Sequence, residues 1–213
     1  MPDIILRKKA KTKKKETSEA VNNSHRRKSE CLELSLKYLY RRAFSESSLL
    51  DACESFDFKE GHSYNFITAG DVDALSYLKA ILRTQNLTHC LLSTWCMSAE
   101  DIYQLKQWLT EGKIKTLDCY VGEIFPSTYK VEFQMLNDLY DSELVHGGRL
   151  AVFRNHSKIF AGVGDKFAFG VQSSANVNTN PRTEQGCITI SQDLYFFYKE
   201  YFDGIKSFEY GKD

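Results

Sequence analysis

Strand-like and helix-like segments alternate three times between residues 63 and 141, and this alternation restricts the possible folds more than any other feature of the sequence. Short apolar runs typical of strands occupy residues 63–70, 88–95 and 115–122. Each is followed by apolar residues at helical spacing, over residues 71–85, 98–112 and 126–141. Because a helix between two strands usually returns the chain parallel to the first strand, this order predicts an α/β fold with a largely parallel sheet and helices on both faces.

The second half of the chain changes to a denser succession of strands. Strand-like runs occupy residues 149–155, 156–162, 166–172 and 186–191, and Gly164-Asp165 fits a two-residue hairpin turn. An aromatic amphipathic helix over residues 193–208 closes the domain. Since hairpin strands pair antiparallel, the predicted sheet is mixed.

The charges divide the chain into a basic N-terminal segment and an acidic remainder. Residues 1–28 contain ten Lys or Arg and three Asp or Glu, so this segment carries +7 in a chain with no net charge. We expect a flexible basic arm over residues 1–29, a helical linker over residues 30–60 and one α/β domain over residues 61–213. The cations within residues 7–28 favour nucleic acid as the partner of the arm. A solvated tail without a fixed partner is the alternative.

The composition argues against several classes of protein. No apolar run reaches the roughly 18 to 20 residues that cross a bilayer, and the N-terminus lacks the apolar stretch of a secretory signal. The six cysteines form no CxxC pair, which argues against a zinc site and against a disulfide framework. We therefore expect a soluble, cytoplasmic protein in a reducing compartment, without membrane contact, metal or cofactor.

Five polar residues in the second half of the chain could form a phosphate site. His156 and Lys158 are two residues apart at the start of a predicted strand, so their side chains should point to the same side. An imidazole can attack phosphorus or carry a proton, and an ammonium group can neutralise phosphoryl oxygens. Ser174 and Asn176 follow the predicted hairpin and can hydrogen-bond phosphate, although both are also ordinary turn residues. Glu184 precedes the last strand, where a carboxylate could orient an imidazole.

The order of these residues resembles the HKD signature of the phospholipase D superfamily, in particular its single-motif bacterial nucleases. The resemblance covers residues 61–213 and assigns the HxK pair, the S-x-N pair and the buttressing acid to His156, Lys158, Ser174, Asn176 and Glu184. It implies an α/β/α sandwich and metal-independent hydrolysis through a phosphohistidine. Two HxK-bearing halves meet face to face in this family, so a single HxK in the chain implies a homodimer.

Two positions depart from the family pattern. Val163 replaces the acid that the family carries five residues after the lysine, with Asp165 nearby, and Ser173 replaces a glycine. Two functions therefore stay open: an active nuclease, or a degenerate member that serves as a nucleic-acid-binding or structural module in a larger assembly, such as that of a mobile element or a virion. The intact HxK, S-x-N and Glu residues favour the enzyme, and Val163 favours the module.

Four further residues are candidates for contact with the substrate. Ser173 and Arg182 flank the S-x-N pair on either side. Asp71 and Trp95 follow or end the first two predicted strands, at the edge where open α/β sheets bind ligands. Trp95 could stack on a base or pack in the core, and Asp71 could border the substrate groove or cap the following helix.

Overall fold

The computed structural model describes residues 37–70, 72–178 and 181–208, and these contain six helices and seven strands. The predicted basic arm, residues 1–29, and Asp71 lie outside the described residues. The helices are α1 (Lys37–Glu54), α2 (Leu75–Leu82), α3 (Ala99–Thr110), α4 (Phe125–Thr128), α5 (Lys130–Tyr140) and α6 (Gln192–Asp203). The strands are β1 (Ser63–Thr68), β2 (Leu87–Thr94), β3 (Leu117–Gly122), β4 (Leu150–Phe153), β5 (Ile159–Gly164), β6 (Ala168–Ser173) and β7 (Glu184–Ile190).

All seven strands lie in one mixed sheet, in the order β1-β7-β6-β5-β2-β3-β4, which confirms the predicted α/β class. The expectation that the sheet is largely parallel needs correction, because only β2–β3 and β3–β4 pair in parallel. The antiparallel meander β5–β6–β7 lies between β1 and β2, so β1 pairs with β7 instead of with the strand that follows it in the chain. Short-range alternation therefore predicts the first three strands and helices α2 and α3. It misplaces the first strand in the sheet, and the helix predicted over residues 126–141 is divided into α4 and α5.

Helices cover both faces of the sheet, as the alternation predicts. On one face, α2, α3 and α5 contribute residues such as Leu78, Leu105 and Leu136 to the larger core cluster. On the other face, α6 packs Tyr195, Tyr198 and Phe202 against small and apolar residues of the central strands. The two faces follow from the strand period of two, since neighbouring residues of a strand point to opposite sides. The result is a three-layer α/β/α arrangement.

The first helix is continuous where the sequence pattern predicts two shorter helices, over residues 30–44 and near residues 47–56. Lys37–Glu54 contains no Gly or Pro, so no helix-breaking residue separates the two predicted helices. The C-terminal part of α1 contributes Leu49 to the main core, and Leu50 and Cys53 pack with Ala80 of α2. The end of this helix is therefore part of the packed domain.

The outer edge of β4 is covered by the chain that follows α6. Phe208 donates its backbone N–H to the carbonyl of Val152 at 2.7 Å, and Ser207 Oγ accepts a hydrogen bond from Val152 N at 2.9 Å. The Arg149 guanidinium donates to the carbonyl of Ile205 and, at 3.0 Å, to that of Asp203. These contacts satisfy the backbone of an edge strand that would otherwise be open to pairing with another chain. Within the described ranges, no helix combines the length and the apolar character needed to cross a membrane.

Candidate active site

The candidate site lies at one edge of the sheet, where the strand directions bring together residues distant in sequence. The pairings make β1, β2, β3, β4 and β6 run in one direction, and β5 and β7 run in the opposite direction. The ends of the first group and the beginnings of the second therefore share an edge. Trp95 follows β2, His156 and Lys158 precede β5, Ser174 follows β6, and Glu184 begins β7. Hence five of the predicted site residues converge without any one segment containing them all.

His156 and Lys158 are direct neighbours in space. The Lys158 ammonium lies 3.0 Å from Nδ1 of the His156 ring and donates a hydrogen bond to the His156 carbonyl at 2.7 Å. The reason differs from the predicted one, because β5 begins at Ile159 and both residues lie in the loop before it. Ser173 N donates to the Lys158 carbonyl at 3.0 Å, which fixes the end of this loop to β6. The imidazole is exposed, so it is accessible to a substrate.

The environment of Lys158 makes its positive charge easier to lose. Partial burial lowers the pKa of Lys158 below its usual value of 10.5, and the acidic groups of Cys96 and Glu184 act in the opposite direction. Burial disfavours the charged form of a lysine because the surrounding protein solvates an ammonium group less well than water does. A bound phosphate would add a negative charge that stabilises this partly desolvated cation further.

Two serines fasten the loop after β6 to the beginning of β7. Ser174 N donates to the Gln185 carbonyl at 3.0 Å, and Gln185 N donates to Ser174 Oγ at 2.9 Å. The Ser174 hydroxyl in turn donates to a carboxylate oxygen of Glu184. Ser173 Oγ accepts from Ala175 N at 3.0 Å, which closes a tight turn. The two hydroxyls thus hold the loop, and Ser174 also holds the Glu184 carboxylate beside it.

Asn176 lies in the segment that connects β6 and β7. Its backbone carbonyl accepts a hydrogen bond from Ala74 N at 3.2 Å, at the start of α2. The following residue, Val177, forms an isolated bridge with Met97 and donates to Thr94 Oγ1 at 3.3 Å. The side-chain oxygen of Asn176 is buried and has no hydrogen-bond partner among the described residues. An unsatisfied buried amide oxygen costs free energy, so this group calls for a structural or functional explanation.

Trp95 borders the His156 side chain. The two ring centroids are 5.5 Å apart and the ring planes meet at 57°. This packing requires Gly122 at the end of β3, since a Cβ atom there would lie 2.6 Å from Cδ1 of Trp95. Arg182 is exposed, and its carbonyl lies beside Gly70, which follows the end of β1.

Asn155 is a site residue that the sequence analysis missed. It is only 5% exposed, and its amide nitrogen donates to Ser93 Oγ at 2.9 Å, to the Thr94 carbonyl at 3.1 Å and to the Tyr120 carbonyl at 2.9 Å. Its amide oxygen accepts hydrogen bonds from both N and Oγ of Ser157, at 2.9 and 2.7 Å. Asn155 therefore fixes the loop that carries His156 to the ends of β2 and β3. The Asn-x-Ser spacing was the available signal, because an Asn side chain often binds the backbone two residues later.

The arrangement suits the transfer of a phosphoryl group. An exposed imidazole can attack phosphorus or carry a proton, and the adjacent ammonium group can hold phosphoryl oxygens. Within the described ranges, no group of three or more His, Cys, Asp or Glu side chains is placed to hold a metal ion.

No protein-family model matches the sequence, and the search of curated proteins finds no similar sequence. Among solved structures, the chain is similar to a polyphosphate kinase from Porphyromonas gingivalis, with a TM-score of 0.49 and 13% identity over 68% of this chain and 26% of that one. It is also similar to a phosphatidylserine synthase from Haemophilus influenzae Rd KW20, with a TM-score of 0.49 and 12% identity over 66% of this chain and 37% of that one. The chain thus spans 26% and 37% of the lengths of these two proteins.

Proposed function

We propose that this protein is a phospholipase D-like phosphodiesterase that hydrolyses nucleic acid as a homodimer and needs no metal. The observation that carries the proposal is the exposed His156 ring with the Lys158 ammonium 3.0 Å from its Nδ1 atom. The contact between Ser174 and Glu184, at the start of β7, adds two further residues that the HKD resemblance assigns to the site. A loop fastened at both ends holds this pair at the edge of the sheet, which is the preorganisation that catalysis needs.

The proposed reaction has two steps. In the first, a ring nitrogen of His156 attacks phosphorus, the bond from phosphorus to the leaving oxygen breaks, and the partner subunit's His156 gives that oxygen a proton. In the second, the partner's imidazole takes a proton from water, the water oxygen attacks phosphorus, and the nitrogen–phosphorus bond breaks. Lys158 and Asn176 stabilise the phosphoryl oxygens in both steps. Glu184 and Ser174 hold the loop in place.

The second histidine is proposed to come from another copy of the chain, because residues 1–213 contain a single HxK with the neighbouring S-x-N and Glu residues. The exposure of His156 supports this proposal, since a partner could approach it directly. Sedimentation at decreasing protein concentration tests it. We expect activity per chain to fall at the same concentration at which the dimer dissociates, and full activity of a monomer would contradict the two-histidine mechanism.

Nucleic acid is the proposed substrate because of two features. The basic segment over residues 7–28 favours a polyanion, and Trp95 beside His156 offers an aromatic ring to a base. The described cysteines are all free, which supports a reducing location such as the cytoplasm.

The experiment is cleavage of labelled single-stranded and double-stranded DNA and RNA in the presence of EDTA. We expect hydrolysis that resists chelation and weakens as salt increases, because binding through phosphate contacts releases counterions. A folded dimer that binds nucleic acid without cleaving it would instead support the second candidate, a degenerate nucleic-acid-binding or structural module. The feature that favours this alternative is Val163, an apolar residue of β5 packed near the α6 side of the sheet, at the position of the family's acid.

The pH dependence of cleavage should reflect Lys158. Its lowered pKa means that the ammonium loses its proton earlier than an ordinary lysine as the pH rises, and the cationic form is the one that binds phosphate. We expect activity to decline on the alkaline side at a pH below 10.5. In Lys158→Arg the part of this decline that comes from Lys158 should disappear, because the guanidinium stays charged, although overall activity should fall. An unchanged alkaline limb in that variant would show that another group titrates.

A further inference from the structure

A groove of about 380 Å³ opens directly beside His156, between the loop that carries this residue and helix α6. One wall consists of the segment from Phe153 to Ser157, and the opposite wall consists of side chains of α6. Because the groove and the candidate phosphate site share His156, a ligand seated in the groove can be connected covalently to a phosphorus atom at the site.

The α6 wall of the groove presents aromatic rings that the core does not use. Tyr195, Tyr198 and Phe202 of this helix are buried, as the period of the helix requires for a single packed face. In contrast, Phe197 is 62% exposed and Tyr201 is 59% exposed, and both line the groove. Rings that remain exposed beside a candidate catalytic residue indicate a surface that another molecule covers.

The opposite wall contributes a cation. Arg154 is exposed, lines the groove and lies two residues before His156, and no hydrogen bond or ion pair connects it to another described residue. Its neighbour Asn155 is fixed by hydrogen bonds, so the backbone at Arg154 is held in place while the guanidinium can reach into the groove mouth. A guanidinium group binds phosphate well, and the aromatic rings across the groove suit the flat face of a base.

We propose that this groove binds the nucleotide next to the scissile phosphate, with its base stacked on Phe197 and Tyr201 and its outer phosphate held by Arg154. This inference rests on the proposed nucleic-acid substrate and assigns it a specific subsite. A nucleotide is favoured because it alone combines a flat base with a second phosphate at the distance of one backbone unit. An acyl chain would leave Arg154 unused, and a second copy of the chain seated in the groove itself is an outcome that the test distinguishes.

The test compares binding of a six-residue oligothymidylate with binding of an abasic oligomer of the same length and charge, by fluorescence anisotropy. Because the two oligomers carry the same phosphates, contributions from the basic segment cancel in their ratio. We expect the wild-type protein to prefer the oligomer with bases by about tenfold, the ratio expected from stacking of one base. The double variant Phe197→Ala/Tyr201→Ala should lose most of this preference. Arg154→Ala should instead weaken binding of both oligomers to the same extent.

Tyr103→Ala is the matched control, because Tyr103 is 64% exposed on α3, which packs on the other face of the sheet. This variant should keep the full preference for bases. A double variant that retains the preference, that changes a dimer into a monomer, or that loses binding to phosphatidylcholine vesicles would overturn the proposal. Cleavage by the wild type is measured separately. If the double variant loses the preference for bases and the wild type cleaves nothing, the groove is supported and the nuclease is rejected. If the wild type cleaves and the double variant keeps the preference, the nuclease is supported and the groove is rejected.

Discussion

Replacing His156 with alanine is expected to reduce phosphodiester hydrolysis by about 10⁴-fold or more while the fold remains intact, because removing a nucleophile removes the covalent route. The imidazole is exposed, and its ring contacts Lys158 and Trp95, so its loss leaves no cavity in the core. The measurement is single-turnover cleavage in EDTA, with thermal unfolding of the same sample as a check on stability.

Two other exposed histidines provide controls for this prediction. His62 precedes β1 and hydrogen-bonds the Glu60 carbonyl, and His146 lies in the turn before β4. His62→Ala and His146→Ala should retain wild-type rates. Quenching the wild-type reaction with an alkaline denaturant should trap a labelled protein that His156→Ala does not form, since a phosphohistidine carries the substrate's phosphorus on a nitrogen–phosphorus bond that acid would hydrolyse. Substantial residual cleavage by His156→Ala would remove the phosphohistidine mechanism from consideration.

Replacing Asn155 with alanine is expected to lower the free energy of unfolding by about 3 kcal/mol, because the change leaves several buried polar groups without a partner. The Asn155 amide connects Ser93, Thr94 and Tyr120 with Ser157 across 65 residues of sequence, and the side chain is 5% exposed. For a protein of this size the loss corresponds to a fall of about 6–12 °C in Tm. Chemical denaturation monitored by circular dichroism measures it.

The activity of Asn155→Ala should fall as well, and by more than its stability explains. The loop between β4 and β5 places His156 beside Lys158, and a small displacement of a catalytic group is costly. Asn65→Ala is the control, because Asn65 is exposed on β1 and its truncation should change stability by less than about 0.5 kcal/mol. A loss below about 1 kcal/mol for Asn155→Ala would show that Ser157 and the backbone hold the loop without the amide.

The local parts of the fold were predictable because they depend on short-range patterns. Apolar spacing predicts α2, α3 and the strands that precede them, and it identifies α6 as the helix that closes the domain. The neighbour of β1 was not predictable, because antiparallel pairing with β7 depends on side-chain fit between segments far apart in the chain. The loop at His156 is predicted as strand because the apolar residues of β5 follow it directly. In the structure, Ser157 N donates to the Asn155 side chain, and β5 begins only at Ile159.

The site was partly predictable for the same physical reason. Residue types and spacing predict His156 and Lys158 as a pair, and the structure places them together. The Asn-x-Ser spacing of Asn155 does not reveal its contacts with β2 and β3, and Arg154, which lines the groove beside α6, has no distinctive pattern. The groove could not be predicted either, because its position depends on which face of α6 is buried. The sequence of this helix has aromatic residues on several faces and so does not show which one packs on the sheet.

The pairing of the first strand with the last has a consequence for how the protein is made. Ser63 of β1 lies opposite Thr189 of β7, 126 residues later in the chain. During synthesis, β1 therefore leaves the ribosome roughly 6–25 s before its partner exists, at 5–20 residues per second. Until then, its polar backbone is exposed as an unpaired strand that can bind other nascent chains. A chain whose synthesis stops before β7 is completed therefore has an unprotected edge at β1. We expect chaperone protection to matter most for such incomplete chains.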